Sequence, residues 1–141
     1  MIADASRPAS VRGAVLCLWI SCGLALLATL AQIAGVIEAT GPTVGMTAAI
    51  GLVTAGLLAL MAASINAGRG WAQWLFLVFY VLGPLMSVVL VLIFPAIFRA
   101  LPALLQLNAI VQILLQSAAV VLIFTTTSRR WFRSKHAGAA P

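Results

Sequence analysis

Asn108, Gln112 and Gln116 recur at intervals of four residues inside an otherwise apolar stretch, Leu104 to Thr125. On an α-helix that spacing puts three carboxamides on one face, with Gln106 on a different side. A carboxamide donates and accepts hydrogen bonds without carrying charge. Such a face therefore suits a neutral or zwitterionic group, and it cannot relay a proton as a carboxylate does. The plainer reading is that the amides bond to neighbouring helices, each contributing about 0.6 to 2 kcal/mol inside a membrane. A counterpart lies in Cys17, Ser21, Ala25, Thr29 and Gln32, a small-to-polar face ending in another carboxamide. Tyr80 and Ser87, seven residues apart, offer two hydroxyls to the same interior. Gly83-Pro84 falls between them and predicts a kink. Packing is the competing reading for each of these residues.

Most other chemistry is missing its parts. His136 is the single histidine and follows the last apolar stretch, which excludes bis-histidine haem and the common zinc or di-iron ligand sets. Cys17 and Cys22 fall on one helix about 140° apart, so they cannot form a disulfide without breaking it. The acidic residues are Asp4 and Glu38 alone, and neither lies within an apolar stretch, which removes the usual proton-coupling site. Small multidrug-resistance transporters share the size but need an acid inside the first helix. Serine and cysteine nucleophiles lack a base, and Walker and dinucleotide glycine motifs are absent. The chain is therefore expected not to be an enzyme and to need no cofactor.

The elements that must carry the polar residues follow from composition. Of 141 residues, 64% are hydrophobic and 7% charged, against roughly 45–50% and about 25% in soluble domains. Mean hydropathy is +1.18. Lipid is the solvent these numbers fit. Four stretches hold no Asp, Glu, Lys or Arg: 14–37, 43–65, 71–94 and 104–125. About 20 residues at 1.5 Å each cross a hydrocarbon core, so each stretch is long enough to span. Helices are required because lipid offers no partner to an unpaired backbone group. The expected fold is all-α, an integral membrane four-helix bundle in one domain over residues 1–141, with a basic tail at 126–141.

Short connections join the spans. Glu38-Ala39-Thr40-Gly41-Pro42 and Asn66-Ala67-Gly68-Arg69-Gly70 read as hairpin loops. Pro95 to Ala103, apolar around Arg99, predicts a short segment lying in the membrane interface. With both termini inside, the cytoplasmic side carries Arg7, Arg12, Arg69, Arg129, Arg130, Arg133 and Lys135, and the outside carries Arg99 alone. A cleavable leader is disfavoured, since the first apolar run exceeds the roughly 7–15 residues of a signal core. The net charge of +6 is then explained by anionic headgroups at the cytoplasmic face, with no nucleic acid implied.

Two further patterns concern placement. Trp71 and Trp74 beside Arg69, and Trp131 among Arg129, Arg130 and Arg133, read as interfacial anchors, because indole is apolar with one N–H that seeks a wet partner. Gly51, Ala55, Ala59 and Ala63 repeat at every fourth position and predict close helix approach, either at the centre of the bundle or across a homodimer.

The stretch Asn66-Ala67-Gly68-Arg69-Gly70-Trp71-Ala72-Gln73-Trp74 and the closing Ser128-Arg129-Arg130-Trp131-Phe132 resemble the Arg-x-Trp-Ala loop and Ser-x-x-Trp-Phe ending of small, uncharacterised four-helix proteins of the bacterial inner membrane. Gln73 departs from the second Arg that such loops often carry. The resemblance implies that membrane and four spans, and no particular activity. The leading functional expectation is a non-enzymatic protein that associates with itself or with a membrane partner, in an accessory or immunity-like role. The alternative is a passive carrier or channel for a small neutral or zwitterionic solute, lined by Asn108, Gln112, Gln116 and Gln32.

Overall fold

A computed structural model describes residues 8–38, 43–125, 127–128 and 130–132, and all of its regular elements are helical. They are α1 (Ala9–Ile33), α2 (Val44–Asn66), α3 (Gly70–Tyr80), a π-turn (Val81–Leu85), α4 (Met86–Ile93), α5 (Pro95–Arg99) and α6 (Ala103–Ile123). The third apolar run, Gly70–Ile93, is helical throughout. It, α1, α2 and α6 are long and apolar enough to cross a membrane. Arg7, Arg129, Arg133 and Lys135 lie outside the described residues, as does most of the basic tail.

Local chemistry sets the helix ends. α1 starts directly after Pro8, whose carbonyl accepts from the Val11 and Arg12 amides at 3.0 and 3.2 Å. It stops at Ile33, four residues short of the expected end, because Gly35 takes a φ of 70° and the Val36 amide turns back to the Ala31 carbonyl at 2.9 Å. Ile37 consequently folds back and is buried. Thr43 caps α2, its hydroxyl accepting from the Met46 amide at 3.1 Å. Gly68, with a φ of 76°, closes the other end. Pro84 has no N–H to give the preceding turn, and the helix answers with the π-turn, where the Met86 amide reaches the Val81 carbonyl.

α1 packs most extensively on α2 and next on α6, and the third span touches α2 and α6 more lightly. The heaviest packing therefore belongs to α1, whereas the small-residue pattern pointed to α2. The reason lies in the spacing itself, since residues four apart drift about 40° per step around a helix. Gly51 meets Thr29, Ala55 is buried, Ala59 is half-buried, and Ala63 has rotated out to the surface. The Cys22 thiol also donates to the Ala55 carbonyl at 3.4 Å.

A Cβ added at Gly51 would overlap the Thr29 hydroxyl, which is held by the Ala25 carbonyl at 2.8 Å. Gly51→Ala and Ala55→Leu are each expected to lower unfolding stability in detergent by about 1–3 kcal/mol, the usual cost of overpacking. Gly56→Ala, where a Cβ meets nothing within 4 Å, is the control that should not.

The core gathers at the end of the helices that carries the two termini. Val11, Leu18, Leu58, Ile65, Phe76 and Ile123 are fully buried there. Trp131 and Phe132 join this cluster in an edge-to-face pair with ring centroids 5.0 Å apart. Trp131 was expected as an anchor at the lipid–water boundary, but it is only 6% exposed. What holds the segment down is Ser128, fully buried, whose hydroxyl lies 2.8 Å from the Leu122 carbonyl and 2.8 Å from the Ser10 hydroxyl. Trp71 and Trp74 do stand exposed, as do Arg69 and Arg130.

Candidate functional site

Among the described residues, an open, partly polar cavity of about 450 Å³ lies between the four membrane-length helices. α6 supplies Asn108, Gln112 and Gln116, the full carboxamide face. α1 supplies Thr29 and Gln32, and α2 supplies Thr54 opposite them. Gly83, Pro84 and Ser87 come from the π-turn region of the third span. The cavity thus occupies the half of the helices remote from the termini. It stops against the packed layer, where Leu58 lines it, Phe76 and Ala119 lie about one turn further on and Leu18 about two, all fully buried.

Within the wall the amides form a ladder. The Gln116 Nε2 donates to Gln112 Oε1 at 3.2 Å, and the Gln112 Nε2 donates to the Ser21 carbonyl of α1 at 2.8 Å. Gln112 is satisfied at both ends. Gln116 is not: it is 5% exposed, and its Oε1 is buried with no hydrogen-bond partner. The Ser21 hydroxyl, also fully buried, lacks a partner as well. An unmade hydrogen bond of this kind costs about 1–3 kcal/mol.

The hydroxyls have committed their protons elsewhere. Thr29 donates to the Ala25 carbonyl at 2.8 Å, Thr54 to Ile50 at 2.8 Å and Ser87 to Gly83 at 2.9 Å. Each is a bond to the preceding turn of its own helix, a habit of Ser and Thr in apolar helices. Their lone pairs remain available to the cavity. Asn108 makes no side-chain hydrogen bond to any described residue. The lining residues include no acidic, basic, histidine, cysteine or tyrosine side chain. What the arrangement can do is hold an uncharged polar group by hydrogen bonds, with acceptors in excess.

Tyr80, expected in the same interior, lies elsewhere. Its hydroxyl is 2.7 Å from that of Ser117, which itself donates to the Ile113 carbonyl at 2.6 Å, so Tyr80 is the donor and ties the third span to α6. Ser117 and Thr54 were not singled out from sequence, because an isolated hydroxyl in an apolar run carries no periodic signal. Among the described residues no group of three His, Cys, Asp or Glu is placed to hold a metal. The chain matches no protein-family model, no curated protein and no solved structure.

Proposed function

We propose that the chain is a multi-pass protein of the bacterial inner membrane with both termini in the cytoplasm, its four spans forming a bundle. In that setting it acts as a passive, non-enzymatic carrier for a small neutral or zwitterionic solute held between the helices. The observation behind this reading is the convergence of polar side chains from all four long helices on one cavity. The packed layer beneath the cavity favours a carrier over an open pore.

Proteoliposomes containing the protein should take up radiolabelled glycerol or urea faster than empty liposomes, with saturation. Uptake equal to that of empty liposomes for every neutral and zwitterionic probe would remove the carrier reading. The orientation is tested separately: protease added outside intact spheroplasts should leave the C-terminal tail uncut.

A second reading, association with itself or with a membrane partner, draws on the third span. Only 6% of its most apolar stretch is buried, against 33% for α1 and for α2. Cysteine placed at Leu92, 76% exposed, in a chain lacking Cys17 and Cys22 would cross-link in native membranes if that face meets a second helix.

A further inference from the structure

An apolar groove of about 240 Å³ runs beside the polar cavity, between α1 and α6. Leu24, Leu27 and Ala31 form one bank and Leu104, Leu107 and Val111 the other. Ala28, Leu105 and Asn108 belong to both the groove and the cavity, so the two spaces share a wall. The outer rim is open: Leu27 is 68% exposed, and Leu104 and Leu107 are each 58% exposed. In a bilayer that rim faces acyl chains.

We infer that the occupant is an uncharged lipid with one chain and a hydroxyl-rich head, of the monoacylglycerol class, which enters sideways from the bilayer; this rests on the reading that the cavity binds a polar group. The chain lies in the groove and the head passes Asn108 into the cavity. The head must bring donors, because Thr29, Thr54 and Ser87 have given their protons to their own helices and present only lone pairs. It must be neutral, because no ionisable side chain lines the cavity and a charge buried without a counter-charge is strongly disfavoured. It carries one chain because the groove is a single cleft of about 240 Å³ with one helix on each bank. Free glycerol satisfies the head requirement and leaves the groove unexplained.

The test uses the full chain in phosphatidylcholine liposomes with a monoacylglycerol carrying a photoreactive diazirine in its chain. Cross-links should map to residues 24–31 and 104–111, and unlabelled monoacylglycerol should compete while the corresponding anionic fatty acid does not. Leu107→Trp narrows the groove from its exposed rim without touching the core, and Asn108→Leu removes the group at the junction. Each should lower competable labelling at least about fivefold, with an unchanged melting transition, as expected for one lost hydrogen bond or a blocked path. Labelling that unlabelled monoacylglycerol fails to reduce, or that both variants leave intact, overturns the inference. If glycerol still binds in that case, the cavity stands as a solute site and only the lipid assignment falls. If neither glycerol nor the lipid binds, both readings fall together.

Discussion

Changing Gln112 and Gln116 together to leucine should weaken solute binding roughly 5- to 150-fold while the protein stays folded. The two amides bond to each other and then to a carbonyl that already serves its own helix, so removing both leaves no new buried group unpaired. Each interhelical bond of this type contributes about 0.6 to 2 kcal/mol in a membrane, and leucine refills most of the volume. The cavity, however, loses two of its carboxamides and becomes apolar at its deep end. Loss of an acceptor from a neutral ligand costs about 1–3 kcal/mol, or roughly 5- to 150-fold in affinity. Gln112→Leu alone behaves differently, because it strands the Gln116 Nε2 in a residue only 5% exposed. The single change should therefore destabilise more than the double one. Equilibrium binding and thermal melting on the two variants check both statements. Binding that survives the double change would make the amide ladder a purely structural device.

Phe132→Ala should cost about 3–5 kcal/mol of stability, the range for an aromatic ring removed from a core. Phe132 is 2% exposed and also loses its edge-to-face contact with Trp131, worth about 0.5–1.5 kcal/mol. The size of the effect comes from its position. Between helices in lipid there is little hydrophobic drive, because the tails are as apolar as leucine. Phe132 follows the last span near the polar boundary, where leaving the cluster exposes the ring to water. Denaturant titration in mild detergent measures the change. A loss below about 1 kcal/mol would mean that the closing aromatic pair rests in the headgroups as an anchor, and that its burial against α1 contributes nothing.

The carboxamide face was legible because a repeat of four on a helix is visible without any neighbour. Gln32 and Ser87 could be placed on helices, but their meeting with Asn108 depended on which helices adjoin. The spacing of Gly51, Ala55, Ala59 and Ala63 looked uniform, yet only the first half of it faces α1, because a four-residue repeat outruns a 3.6-residue turn. Tyr80 and Trp131 misled for a related reason. Their residue types fit an interior hydroxyl and an interfacial ring, and their actual partners, Ser117 and Phe132 with the α1 end, are set by packing.

Composition alone decided that this chain has four helices of membrane-spanning length, since unbroken apolar runs without charge have no other low-energy form in lipid. Residue order also decided the punctuation at Gly68 and Pro84, which act through backbone geometry local to the residue, whereas the earlier stop at Gly35 appeared only in the structure. Only the tertiary structure decided that Asn108, Gln112 and Gln116 share a cavity with Thr29, Gln32, Thr54 and Ser87, and that an apolar groove opens onto it beside Asn108. Hydrogen bonds between helices and the spaces they enclose depend on rotation and crossing of whole elements. Those are fixed by side-chain packing summed over long-range pairs, which no local pattern of residues records.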